Sequence, residues 1–200
     1  EYGGTIPTVP GPGLAEAFVA ARQSQGADYV KIILNGVRAA RNGTPTMNEA
    51  TARALVQASH ARGLLVVAHV EDLNDVRTAV ASGVDGLAHV WRQGGEAPSI
   101  AKLLVDNRVF VIPTLARPDG FIKGKCAALA ADRRLRPFLS LETVRRLTGE
   151  IPSPIPGPVL ENIDEQLAAV RSLVAAGAML LTGTDPPVGC AVHGVSLHRE

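Results

Sequence analysis

The stretch LLVVAHVEDLNDVRTAVASGVDGLAHV, Leu64 to Val90, decides how the chain folds. Its first six residues form an unbroken apolar run that ends in His69, the pattern of a strand buried on both faces. The next segment, LNDVRTAVASG, spaces its apolar residues for one face of a helix and stops at Gly83. DGLAHV, Asp85 to Val90, is then a second short strand ending near His89. A strand, a helix and a strand in so few residues imply a right-handed crossover between parallel neighbours.

The same unit recurs on both sides. Upstream, ADYVKIIL (Ala27–Leu34) reads as a strand, and Asn48 to Arg62 as a helix with Asn48 as N-cap and Gly63 as its stop. Downstream, Ala97 to Asn107 reads as a helix, VFVIPT (Val109–Thr114) as a strand, Leu160 to Gly177 as an amphipathic helix and AMLLTGTD (Ala178–Asp185) as a strand. A further helix is expected over Leu14–Gln25. Strands alternating with single helices give an α/β fold with a parallel sheet. No Gly-x-Gly-x-x-Gly follows any strand, which removes the main support for a dinucleotide-binding fold. A (β/α)8 TIM barrel needs eight such units in about 250 residues. The expected fold is therefore a partial TIM barrel, its later five strands with their helices, spanning residues 1–200 and lacking the first three strands. Residues 116–159 exceed an ordinary connection and are expected to form a helical insert over the barrel mouth, against the plainer reading of a solvated surface insert.

Composition narrows the function classes. Lys+Arg number 20 and Asp+Glu 19, and aromatic residues make up 4%. No basic face or stacking platform for nucleic acid is expected from that balance, and no apolar run reaches the length of a membrane span. The two cysteines, Cys126 and Cys190, lie in no CxxC pattern and read as packed or incidental thiols. A homo-oligomer is left open. The chain begins with Glu1 and ends in GVSLHRE, which reads as a helix beginning, so a fragment is expected.

Barrel enzymes work at the carboxyl ends of their strands. His69, His89, Thr114 and Asp185 stand there, and Lys31 lies inside the first strand. Each has an ordinary explanation taken alone: a structural histidine, a capping aspartate, a lysine reaching to solvent. Together, two histidines and an aspartate are ligand types for a divalent transition metal, and Asp185 can serve as general base. A buried Lys31 would lose its charge easily. A neutral amine reacts with carbon dioxide to form a carbamate, which turns the side chain into a long carboxylate able to bridge two metal ions.

YVKI, VVAHV, AVASGVDGLAHV, LLTGTDPP and HGVSLHRE together resemble the amidohydrolase superfamily, chiefly its imidazolonepropionase-like and Xaa-Pro dipeptidase-like members. The resemblance runs along essentially the whole chain. It implies that Lys31 is the carbamylated lysine, that His69 and His89 are metal ligands, and that Asp185 binds metal and takes a proton from the attacking water. It implies one or two divalent ions, Zn2+ first among them, and a small-molecule or dipeptide substrate. His193 and Thr114 are the candidate substrate contacts; His198 reads as structural and His60 as surface. The family's His-x-His pair is nowhere in this sequence, and its small β-sandwich is also absent. The chain alone is accordingly expected to be inactive. The leading expectation is a metal-dependent hydrolase of C–N bonds. The alternatives are a metal-free lyase or aldolase with Lys31 as Schiff-base nucleophile, and a non-catalytic barrel relative.

Overall fold

The structure is a computed structural model that describes residues 7–36, 46–91, 96–116, 125–151, 163–186 and 191–200. Four parallel strands form one sheet in the order of the chain: β1 (Tyr29–Ile33), β2 (Leu65–His69), β3 (Gly86–Ala88) and β4 (Phe110–Ile112). Among the described residues the order never reverses, so this sheet shows no switch point of the doubly wound kind. A fifth segment continues the order. Leu180 bridges Val111 in parallel, with Val111 N–H donating to Met179 O and Leu181 N–H to Val111 O, both at 2.9 Å. The expected strand over Ala178–Asp185 is thus reduced to a single bridge. Gly183 runs close against Ile112: a Cβ there would meet the Ile112 side chain at 2.5 Å.

Helices α1 (Ala15–Ser24), α2 (Glu49–His60), α3 (Leu73–Ser82), α4 (Ala97–Asp106) and α7 (Asp164–Ala175) cover one face of this sheet. The sequence sets their ends. Asn48 Oδ1 accepts the Thr51 amide at 2.9 Å, and Asp72 Oδ1 accepts those of Asn74 and Asp75 at 2.7 and 2.9 Å. Such caps occupy amides that the first helical turn leaves without partners. Gly83 closes α3 at φ 86°, a left-handed conformation that costs other residues about 1–2 kcal/mol. Beneath the helices, Val30, Ile32, Val66, Ala68, Leu87 and Val111 pack against Leu55, Val76, Ile100, Leu104 and Leu173. Leu104 is fully buried there, and its truncation to Ala would cost about 2–5 kcal/mol.

The opposite face is covered unevenly. Strand β1 alternates, with Val30 and Ile32 buried and Tyr29, Lys31 and Ile33 exposed. All three residues of β3 are buried. The expectation of a buried Lys31 is corrected: it lies on the open face, in register with Val67, and one rung below the pair Ile33 and His69.

The insert has its own small core. Helices α5 (Lys125–Ala131) and α6 (Leu141–Leu147) flank a short 3-10 turn at Arg136–Phe138. Leu129, Ala130, Leu139 and Leu147 pack with Val192 and Val195 of the last described segment. The loop RPDGFIKGK and most of the proline-rich run IPSPIPGP lie outside the described residues. The reading of two incidental thiols is also corrected: Cys126, packed on this small core, is disulfide-bonded, and the chain has one other cysteine, Cys190.

Candidate active site

The strand ends converge through an unusual backbone feature. Three residues at the carboxyl ends of successive strand segments have left-handed φ without being glycine: His89 (75°), Thr114 (53°) and Asp185 (50°). Each costs about 1–3 kcal/mol and persists only where its surroundings hold it. Strict alternation would put the His89 side chain on the Leu87 side, under the helices. The left-handed turn swings it to the other face instead. Its ring there meets His69 edge to face, with centroids 4.6 Å apart and planes at 78°.

His89 is 5% exposed and firmly oriented. Its Nδ1 stands 2.6 Å from Thr114 Oγ1, and that hydroxyl donates to Pro113 O at 2.8 Å. Thr114 Oγ1 thus stands within hydrogen-bond distance of both His89 Nδ1 and Pro113 O, and the Nε2 edge of the ring faces Asp185 Oδ2, 3.9 Å away. His69 Nε2 is buried without a hydrogen-bond partner, and Glu71 Oε1 stands 3.6 Å from it. Two imidazole nitrogens and two carboxylates therefore face one another as two pairs.

This arrangement can hold a divalent metal in part. Two tetrahedral ligands each about 2.0–2.1 Å from zinc stand ~3.4 Å apart, and the two pairs are a few tenths of an ångström wider than that. The donor set of imidazole and carboxylate suits zinc, and the orphaned His69 nitrogen fits a missing ligand partner. Among the described residues no group of three or more His, Cys, Asp or Glu side chains closes around a single point.

Of the six residues picked from the sequence, His69, His89, Thr114 and Asp185 are brought together. Lys31 lies below them on the open face, in register with Val67. His193 is exposed in the turn before the 3-10 turn Val195–His198, and no hydrogen bond, ion pair or ring contact joins its side chain to the others among the described residues. Sequence reading missed three carboxylates. Glu71 follows β2 by two residues. Asp75, buried in the first turn of α3, accepts the Gly36 amide and the Glu71 amide, each at 3.1 Å, and so ties the ends of β1 and β2 together. Glu200 accepts the Leu115 and Ala116 amides, each at 2.8 Å, just past β4. Burial pushes the Glu200 carboxyl above its ordinary range, against the pull of the Ala116, Leu115 and Thr114 amides. The position of Glu71 after a strand end was a usable signal. For Glu200 there was none, because its partners lie 84 and 85 residues away.

No protein-family model matches the chain, and no curated protein matches it. Solved structures do. One is an amidohydrolase, with 23% identity over 92% of this chain and 40% of its own, and a TM-score of 0.60. Another is a Xaa-Pro dipeptidase with methionine bound in its active site, with 23% identity over 96% of this chain and 43% of its own, and a TM-score of 0.60. A third is a prolidase complexed with N-methylphosphonate-L-proline, with 21% identity over 92% of this chain and 40% of its own, and a TM-score of 0.59. The chain spans about two-fifths of the length of these structures. Its fold is that of part of the amidohydrolase and Xaa-Pro dipeptidase barrels.

Proposed function

We propose that this chain forms the later part of a metal-dependent hydrolase of C–N bonds acting on an amide, a cyclic amide or a dipeptide. The observation that carries the reading is the convergence of His69, His89 and Asp185 from three strand ends, two of them on strained left-handed backbone. His69 and His89 would hold a divalent ion, Zn2+ by ligand type, through their Nε2 atoms. When bound, such an ion polarises the scissile carbonyl and acidifies a water. Asp185, at the rim with its carboxylate facing His89, takes the proton of the attacking water. Thr114 orients His89, and Thr114 and His193 are the proposed substrate contacts. Lys31 would contribute as a carbamate, in a site with two ions.

The likeness of fold to prolidases favours a short peptide with a proline after the scissile bond. The alternatives have less support. A Schiff-base lyase would use Lys31 and leave the paired imidazoles and carboxylates without a role. A non-catalytic relative would leave the backbone strain at His89 and Asp185 without one.

The test uses the full-length protein. Zinc content, chelator sensitivity and hydrolysis of Xaa-Pro dipeptides are measured for the wild type and for His69→Ala and His89→Ala. We expect both variants to lose zinc and turnover. Turnover indifferent to chelation, with borohydride trapping a carbonyl substrate on Lys31, would establish the lyase instead. The 200-residue chain alone is proposed to be inactive, since Tyr29 and Leu65 stand half exposed on its open face. Its purification as an active monomer would contradict that.

A further inference from the structure

The carboxylate of Glu200 lies across consecutive backbone amides of a distant turn. Oε1 accepts from Leu115 N and Oε2 from Ala116 N, each at 2.8 Å. The residue before them, Thr114, is buried and left-handed. For a β-branched residue that conformation is a true outlier, so something must hold it. Thr114 in turn fixes the His89 ring through its hydroxyl.

We propose that Glu200 is a positioning residue for the hydrolase site: it clamps the 114–116 turn, and through the Thr114 hydroxyl it sets which nitrogen of His89 faces Asp185. The inference rests on the proposed hydrolase only in giving that nitrogen a metal to bind. The chain of contacts is short and directional. An anionic carboxylate matches two converging N–H groups, as fixed partial positive charges favour an anion. With the turn held, the Thr114 hydroxyl stays 2.6 Å from His89 Nδ1 and 2.8 Å from Pro113 O, the placement that would let it accept from Nδ1 while its own hydrogen goes to Pro113 O. Without the clamp, Thr114 can relax toward ordinary backbone angles and withdraw its hydroxyl. The imidazole is then free to rotate or to move its proton to Nε2, where it would block metal binding. Outer hydrogen bonds of this kind typically change metal affinity ten- to a hundredfold when removed.

Glu200→Gln is the sharpest variant. The amide keeps the shape and one acceptor, but its NH2 group confronts the second backbone N–H. Two readouts are taken on the full-length protein. Histidine-selective 1H–15N correlation spectra of the metal-free protein report which His89 nitrogen carries the proton. Competition with a chromophoric chelator reports zinc affinity. The wild type should show His89 protonated on Nδ1. Glu200→Gln and Thr114→Val should each raise the Nε2–H population and weaken zinc about ten- to a hundredfold. The double variant should lie within about twofold of the weaker single one, because both act along one path. Thr114→Ser should restore the wild-type pattern. If Glu200→Gln keeps the wild-type tautomer and zinc affinity within twofold, the proposal is wrong, whatever happens to its melting temperature. If Glu200→Gln does not fold, Glu200→Asp is read by the same two criteria. A wild type that binds no zinc would remove the hydrolase reading, while the tautomer would still decide the role of Glu200.

Discussion

The two flanks of the sheet differ in how their inner faces are held. Around β3 and β4, side chains on that face are buried or half-buried and held by neighbours: His89 on Thr114, the Thr114 turn on Glu200, the half-buried Phe110 ring over Gly86. Around β1, Tyr29 and Lys31 stand open to solvent. Both flanks are made of short apolar strands with a polar residue of the same chemical promise. The difference teaches that a ligand-type residue becomes a site through its neighbours. His89 has a fixed ring because three groups from separate segments, Thr114, His69 and Asp185, surround it. Lys31 has the right strand and face, yet nothing among the described residues fixes its amine.

The largest expected effect tests whether the locked flank does chemistry. In the full-length protein, Asp185→Asn removes the proton acceptor but keeps an oxygen facing His89. Turnover of a Xaa-Pro dipeptide should fall by about 10²–10⁴, the usual range for a general base, with most of the zinc retained. Full activity in that variant would sink the assignment of Asp185 and take away the functional meaning of the contrast.

The second effect concerns packing. A Cβ on Gly86 would stand 2.1 Å from the Phe110 ring, so Gly86→Ala must displace it. We expect a loss of about 1–3 kcal/mol by chemical denaturation. Adding Phe110→Leu should recover part of that, since the clash and its relief share one contact. A Gly86→Ala variant as stable as wild type would mean that the inner face near β3 is as loose as at β1.

The open flank supplies the matching control. Leu65 is 52% exposed on the same face, so Leu65→Ser should change the stability of the 200-residue chain by no more than about 0.5 kcal/mol. A cost several times larger would show that the face is covered in solution and that the contrast is false.

The same contrast explains what could be read from the sequence. Alternation of period, the Asn48 cap and the Gly83 stop are local, and they gave strands and helices close to those observed. The strand-end rule picked out His69, His89, Thr114 and Asp185, which the structure brings together because parallel strands carry their last residues to one edge. The last strand was over-read, since only Leu180 pairs within Ala178–Asp185. What escaped was set by distant parts of the chain. The burial of Lys31 depends on what lies across the sheet. The Glu200 clamp joins segments far apart in sequence. The left-handed angles at His89, Thr114 and Asp185 have no signature, because those residue types are ordinary at strand ends.

The smallest effect compares two carboxylates, one covered and one open. Glu200 has its carboxyl raised, first by burial and despite three amide contacts. A raised group contributes most below its unfolded value, ordinarily near 4.5, and that contribution is lost as pH rises through its folded value. Asp132, on the insert surface, is pulled from 3.8 to about 2, first by its side-chain hydrogen bond to Arg134. A lowered group behaves in the opposite sense: its contribution is present above 3.8 and is lost as pH falls through about 2. Denaturation midpoints followed with pH should therefore flatten at different ends. Glu200→Gln should remove a decline in stability above the ordinary glutamate range. Asp132→Asn should remove only a shallow loss on the acid side, because solvent screens an exposed pair. If Asp132→Asn moved the curve more than Glu200→Gln, the covered carboxylate would not be the one under strain, and the locked flank would owe its order to packing alone.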